Sequence, residues 1–222
     1  MIEVKNLSFK YDDNIILKNL NFSIEKQDFI GIIGNNGTGK STLIKLLVHE
    51  MEANEGQILI DGVEIKSFTD WGRIGYVNQV DRNNPIAFPI SCAELIVLNL
   101  YDDFNIFNRP RKGHWKKVRE SLELVNMLDY YDRDFNSLSG GQKQRIMIAK
   151  ALVHNPDILI FDEPTVGVDQ DNSQAFFHLL KHLNERHKKT IIMVTHELDK
   201  ADGYFNKKFY LENKTIRKEI LC

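Results

Sequence analysis

A continuous apolar stretch, a glycine-rich loop and a periodic apolar segment follow one another near the start of the chain. Residues 29–33 read Phe-Ile-Gly-Ile-Ile and predict a strand that is buried on both faces. Residues 34–41 read Gly-Asn-Asn-Gly-Thr-Gly-Lys-Ser, and the apolar positions within 43–47 have helical spacing. This order predicts an α/β fold in which the glycine loop joins a core strand to a helix.

The composition of this loop predicts that it binds phosphate. Its glycines let the backbone bend until successive N–H groups point inward, and the following helix adds the positive end of its dipole. Lys40 would reach the β- and γ-phosphates of a nucleotide, and Ser41 would bind Mg²⁺. The alternative is a plain glycine-rich turn, which the flanking strand and helix disfavour. The predicted nucleotide-binding residues here are Gly34, Asn35, Asn36, Gly37, Thr38, Gly39, Lys40, Ser41 and Thr42.

A second buried strand ends in two carboxylates. Residues 158–161 read Ile-Leu-Ile-Phe, and Asp162 and Glu163 follow directly. Ligands of open α/β sheets bind at the carboxyl ends of the strands. We expect Asp162 to face the Mg²⁺ shell and Glu163 to act as general base on the attacking water. Two solvated acids at a strand end are the alternative, which the phosphate loop makes less favourable.

The remaining patterns divide the chain into regions. Short alternating segments within residues 2–63 predict an antiparallel sheet. The strands predicted at 158–161 and 191–194, with a helix between them over 176–183, predict parallel strands with helical crossovers.

Between about residues 80 and 136 the strand signal disappears. Ser91 and Glu94 have the spacing of a capping box, and a second helix is predicted over 118–128. An aperiodic segment over 102–113 predicts a loop. We therefore expect one domain over residues 1–222, with an α/β core and antiparallel β-subdomain over 1–81 and 151–222 and an α-helical insert over 82–150.

Residues 138–145 read Leu-Ser-Gly-Gly-Gln-Lys-Gln-Arg. Ser139 and Gln142 form an N-terminal capping pair for a following helix, and Gly140 and Gly141 leave the helix start uncluttered. A bare helix N-terminus with a serine hydroxyl is suited to a γ-phosphate. An ordinary capped helix is the alternative.

Charge and composition exclude some classes of protein. The chain has 29 basic and 31 acidic residues and a formal charge of −2, so no global field attracts nucleic acid or an anionic membrane. No apolar run approaches the roughly 20 residues that span a bilayer. The two cysteines suit free thiols of a reducing compartment, and a cytoplasmic location is the default expectation. His178 and His182 could clamp a metal, but a solvated helix face explains their spacing better.

The three motifs together resemble those of the nucleotide-binding subunit of an ATP-binding cassette (ABC) transporter, over nearly all 222 residues. The resemblance implies the ABC ATPase fold on a P-loop NTPase core. It also implies a head-to-tail homodimer in which Ser139, Gly140, Gly141 and Gln142 of one subunit close on ATP in the loop of the other.

Further residues take roles from the resemblance. It implies that Tyr11 stacks on adenine, that Gln79 links Mg²⁺ and the γ-phosphate to the insert, and that His196 contacts the γ-phosphate. It implies that Asp169 communicates between the two ATP sites. The alternatives are a surface aromatic for Tyr11, a plain polar residue for Gln79 and a structural histidine for His196.

Two places depart from the family pattern, and they bear on local turn geometry and not on nucleotide binding. Where the family has a Gly-Glu turn this chain has Lys26-Gln27-Asp28, and Asn78 replaces a proline.

The Phe88-Pro89 pair before Ser91, and the later Arg-Pro-Arg-Lys-Gly stretch, resemble the corresponding segments of zinc and manganese importers. This implies permease partners, an indirect extracellular substrate-binding protein, no nucleic acid, and a position on the inner membrane face. The alternatives are an exporter subunit, another importer or a soluble assembly ATPase.

Overall fold

The structure, a computed structural model, describes residues 1–78, 86–104, 109–165, 170–195, 201 and 203–220. Two sheets form its framework. The first has the order β2-β1-β4-β5 with antiparallel pairing, and comprises β1 (Ile2–Tyr11), β2 (Asn14–Ile24), β4 (Glu55–Ile60) and β5 (Val63–Glu64). This confirms the predicted antiparallel subdomain.

The second sheet has the order β10-β9-β3-β8-β7-β6. All its neighbouring strands pair in parallel except β9 and β10, which form an antiparallel hairpin. Its strands are β3 (Phe29–Ile33), β6 (Ile74–Val77), β7 (Ile158–Asp162), β8 (Thr190–Thr195), β9 (Lys207–Glu212) and β10 (Thr215–Ile220). The predicted parallel core is confirmed.

The α-helices of the described residues are α1 (Lys40–Leu47), α2 (Cys92–Val97), α3 (Lys112–Leu124), α4 (Gly140–Leu152) and α5 (Gln170–His187). None of them combines the length and apolar character that a bilayer crossing requires. Helices α2, α3 and α4 lie between β6 and β7 in the chain. The domain boundaries at 82 and 150 stay a prediction.

The parallel sheet separates two apolar cores, because alternate strand residues point to opposite faces. On β8, Ile191 and Met193 join the core built with α2–α5, whereas Ile192 and Val194 join the core beneath α1 and the antiparallel sheet. Burial on both faces explains why β3, β7 and β8 read as continuous apolar runs.

Two helix starts have the capping boxes that their sequences predict. The Ser91 hydroxyl accepts from the Glu94 N–H at 3.2 Å, and the Glu94 carboxylate accepts from the Ser91 N–H at 2.8 Å. The predicted loop over 102–113 is wrong at both ends, because Asp102 and Asp103 belong to the 3-10 helix Leu98–Asp103, and Lys112 and Gly113 already belong to α3. His114 Nδ1 accepts from the Arg111 N–H at 3.0 Å and so fixes this early start.

The turn before β3 is one of the places where the chain departs from the family pattern. Gln27 has a φ of 65°, in the left-handed region that favours glycine. Asp28, only 4% exposed, holds the turn: its carboxylate accepts from the Glu25 N–H at 2.7 Å, from the Asn206 side chain at 3.1 Å and from Lys207 Nζ at 2.6 Å. This cluster ties the entry of β3 to β9.

We expect Asp28→Ala to lower the free energy of unfolding by about 3 kcal/mol, because it leaves the Lys207 ammonium and two N–H donors without their shared buried acceptor. Urea denaturation followed by circular dichroism measures the change. Glu185→Ala, which removes an exposed pair with Lys181, is the control and should change stability by less than ~0.5 kcal/mol. Equal effects of the two variants would contradict this account.

Candidate functional site

The loop between β3 and α1 is shaped by close packing around its glycines. Gly39 has a φ of 101°, and a Cβ atom there would lie 2.8 Å from Ile16 Cγ2. A Cβ atom on Gly34 would lie 2.6 Å from the Leu211 carbonyl oxygen. Gly39 is also the N-cap of α1, and its lack of a side chain leaves the first N–H groups of that helix to an anion.

Lys40 lies inside this loop and is 4% exposed. Its Nζ donates to the carbonyl oxygens of Gly34 at 2.8 Å and Asn35 at 2.9 Å, and lies 3.5 Å from Glu163 Oε1. The ammonium therefore stands at the junction of the glycine loop and the acidic strand end. It is already removed from bulk water, so phosphate oxygens can replace the two carbonyls at low desolvation cost.

Ser41 and Asp162 provide adjacent oxygen atoms. The Ser41 hydroxyl donates to Asp162 Oδ1 at a long 3.4 Å. Burial raises the pKa of the Asp162 carboxyl, and the nearby Glu163 charge adds to the rise, although Ser41 and Lys40 oppose it. Burial and the Asp162 charge together raise the pKa of Tyr76 to about 12. The Ser41 hydroxyl and the Asp162 carboxylate are hard oxygen donors, and the desolvation of the carboxylate is only partly offset by its neighbours. Such a donor set fits Mg²⁺.

Glu163 has an unusual backbone for a residue with a side chain. Its φ is 45°, in the left-handed region, and its N–H donates to the Val194 carbonyl at 3.0 Å. The carboxylate remains 18% exposed beside Lys40. Strained backbone of this kind persists where the surrounding structure enforces it and is concentrated at functional sites. A partly exposed carboxylate fixed beside the phosphate loop suits a general base.

The N-terminus of α4 is built as predicted but stands apart from this cluster. Ser139 caps the helix, with its hydroxyl accepting from the Gln142 N–H at 3.4 Å and its N–H donating to Gln142 Oε1 at 2.9 Å. The Gln142 amide also donates to the Tyr130 hydroxyl at 2.8 Å. Within the described ranges no hydrogen bond joins Ser139 or Gln142 to the loop at 34–42. The exposed Ser139 is thus available to another molecule.

Tyr11 lies at the end of β1, opposite Asn14 in the hairpin with β2. Its ring is 46% exposed and its hydroxyl donates to Met51 Sδ at 3.3 Å. Since Ile16 of the same hairpin packs on Gly39, the hairpin tip lies near the glycine loop. Adenine stacking on Tyr11 stays a prediction.

Three predicted site residues, Gln79, Asp169 and His196, lie outside the described residues. They follow β6, β7 and β8 in the chain, and their roles stay predictions. In the described ranges no group of three His, Cys, Asp or Glu side chains could hold a metal ion. His178 and His182 are exposed on α5, where the His182 ring lies 5.2 Å from that of His187.

Sequence reasoning missed two residues that support the site, Tyr130 and Gln144. Gln144 is 4% exposed, and its Nε2 donates to the Pro164 carbonyl at 2.8 Å. The signal was present in its spacing, because Gln144 shares a helical face with the apolar Ile148 and Ala151 and must therefore be buried with a partner. No pattern indicated the bond between Tyr130 and Gln142.

Comparison with known proteins places the chain in a family. The family model described as "ABC transporter" matches residues 17–166, which contain the glycine loop, the octapeptide and the acidic strand end. The chain belongs to the ABC transporter family. As an ABC ATPase it binds ATP, and the resemblance noted in its sequence is confirmed.

Relatives and solved structures agree with this membership. The cassette is 39% identical over 216 residues to the zinc uptake system ATP-binding protein ZurA of Listeria innocua, covering 97% of this chain and 84% of the relative. It is 36% identical over 208 residues to the manganese transport system ATP-binding protein MntB of Bacillus subtilis, covering 92% and 80%. The dimeric post-hydrolysis structure of the ATP-binding cassette MJ0796 with ADP and Pi matches with a TM-score of 0.81 and 30% identity, covering 100% and 99%.

The position of Glu163 generates a test of the ABC cassette's chemistry. We expect Glu163→Gln to preserve ATP binding and to lower turnover by about 10²- to 10⁴-fold, because the amide keeps the shape but cannot accept the proton of water. Steady-state ATPase assays and light scattering of the ATP-dependent dimer measure both effects. Glu212→Gln, an exposed substitution at the end of β9, is the control. Near-wild-type turnover in Glu163→Gln would exclude the general-base role.

Proposed function

We propose that this cassette is the ATP-hydrolysing subunit of an importer of a divalent transition metal, zinc first and manganese second. The names of its relatives support this cargo. The observation that carries the catalytic part is the contact between Lys40 of the phosphate loop and Glu163 of the strand end, at 3.5 Å. It joins a phosphate-binding cation to a candidate base.

The residues of the site have complementary roles in this proposal. The loop N–H groups and Lys40 hold the ATP phosphates, and Ser41 and Asp162 hold Mg²⁺, with Gln79 as a further ligand. Bound there, Mg²⁺ would neutralise charge that develops on the phosphate oxygens. Glu163 accepts the proton of the attacking water, and His196 contacts the γ-phosphate. Tyr11 stacks on the adenine.

The second half of each ATP site comes from another copy of the chain. The exposed Ser139 and the uncluttered start of α4 supply N–H donors to the γ-phosphate held by the partner subunit, and Asp169 communicates between the two sites. The dimeric state of MJ0796, which matches over the full length of this chain, supports this arrangement. The domain division at 82 and 150 belongs to the same proposal, with the helical insert carrying Ser139.

Membrane partners complete the proposed machine. The cassette would lie on the inner face of the cell membrane beneath a permease, and an extracellular substrate-binding protein would deliver the cargo. Phe88, 58% exposed, and Leu98, 50% exposed, belong to the insert that would face the permease. Selectivity for the metal would reside in the permease and the substrate-binding protein.

A substitution at the start of α4 tests the composite site. We expect Ser139→Arg to leave the ATP affinity of the monomer within about twofold of wild type while abolishing ATP-driven dimerisation, because bulk there blocks close approach of phosphate to the helix N–H groups. Lys40→Ala is the contrasting variant and should weaken monomer binding by about 10- to 100-fold, since it removes charged hydrogen bonds. Nucleotide titration and light scattering measure both. If Ser139→Arg impairs monomer binding as severely as Lys40→Ala, the arrangement between subunits is wrong.

Deletion of the gene tests the cargo. We expect the deletion strain to grow poorly under zinc chelation and to recover with added zinc but not with iron, because uptake requires hydrolysis by this subunit. The wild-type gene should restore growth, whereas the Glu163→Gln gene should not. Unchanged cellular zinc and manganese in depleted and replete media would reject the proposed cargo without affecting the assignment of ATPase activity.

A further inference from the structure

A buried amide connects α4 to the segment that follows Glu163. Gln144 is 4% exposed, and its Nε2 donates to the Pro164 carbonyl oxygen at 2.8 Å. Because a carbonyl oxygen can only accept, the amide must present its NH₂ group to this partner. The bond crosses from the helical insert to the turn after β7, and it holds the Pro164–Thr165 peptide, the second peptide after Glu163.

That turn needs to be fixed from outside. A φ of 45° at Glu163 is unfavourable for a residue with a Cβ atom, and such a conformation persists only when neighbouring contacts enforce it. On one side, the Glu163 N–H donates to the Val194 carbonyl of β8 at 3.0 Å. On the other side, Gln144 holds the carbonyl of Pro164. The two bonds therefore bracket the residue whose carboxylate lies 3.5 Å from Lys40 Nζ.

Gln144 also belongs to the helix that Ser139 caps. The first turns of α4 thus have an exposed end at Ser139 and a buried contact at Gln144. Ser139 and Gln144 are held at a fixed distance from each other by the helix. The position of the Pro164 carbonyl, which Gln144 holds, therefore depends on the position of the helix start. A buried amide needs a hydrogen-bond partner, and a carbonyl of its own helix could have served. The Gln144 amide instead bonds a carbonyl of a distant segment.

We propose that Gln144 is a positioning residue, which holds the strained turn at Glu163 so that its carboxylate stays in the orientation needed to accept a proton. This rests on the proposed role of Glu163 as general base. Gln144 contacts neither nucleotide nor water in this role and acts only through Glu163. Losing it should therefore lower kcat and leave ATP binding unchanged.

A double-mutant cycle with Glu163 tests the proposal on the full-length cassette. Gln144→Met removes the donor at similar side-chain length, and we expect kcat to fall about tenfold with KM and ATP-driven dimerisation within about twofold of wild type. In the Glu163→Gln background, measured in single-turnover assays, Gln144→Met should lower the rate by less than about twofold, because the base it positions is already absent. Gln174→Met, an exposed substitution on α5, is the control and should change neither rate.

A purely structural role gives a different result. It would lower the rate by the same factor in both backgrounds or raise KM together with the fall in kcat, and either outcome overturns the proposal. If Gln144→Met does not fold, Gln144→Asn keeps the amide but shortens its reach, and the same cycle applies to it. Wild-type turnover in Glu163→Gln would reject the general base itself. Loss of turnover there with unchanged kcat in Gln144→Met would reject only the positioning role.

Discussion

The register of three parallel strands is the constraint on which the site depends. On β8, Thr195 lies beside Ile33 of β3, and Val194 lies beside Asp162 of β7. The glycine loop and the acidic strand end therefore leave the sheet at the same edge, separated by one strand, or about 10 Å. The Lys40 side chain spans this gap and approaches Glu163. A slip of one residue would turn every apolar side chain of a strand to the opposite core, so the packing that stabilises the sheet also places the chemistry.

The electrostatics of the site are arranged in advance of any nucleotide. Lys40 is buried among carbonyl oxygens, and Asp162 is half-buried with a raised pKa, so both charged groups have already lost part of their hydration. Burying an ion costs several kcal/mol unless it is well paired. Phosphate supplies a stronger partner for the ammonium than a carbonyl does, and a divalent cation supplies one for the carboxylate. Part of the desolvation free energy that binding of Mg-ATP requires from these two side chains has thus already been spent in folding.

The sequence predicted most of the fold because its signals are local. Apolar runs at 29–33, 158–161 and 191–194 became the central strands, and the capping pairs at Ser91 and Ser139 became helix starts. Contacts between segments that are distant in the chain could not be predicted from these local patterns. Nothing in the pattern around Asp28 indicates Lys207 as its partner, and the left-handed backbone at Glu163 follows from packing against β8 rather than from any propensity of glutamate.

Helix α4 shows how the two kinds of information combine. Its capping box is written in four consecutive residues, so the exposed end at Ser139 was predictable. Its buried contact with the Pro164 carbonyl depends on how the insert packs on the core, because Ile146, Ile148 and Leu152 share an apolar core with Phe161 of β7. A close-packed interior transmits displacement rather than absorbing it. In the proposed dimer we therefore expect a shift of the helix start to be passed to the turn at Glu163 through that core.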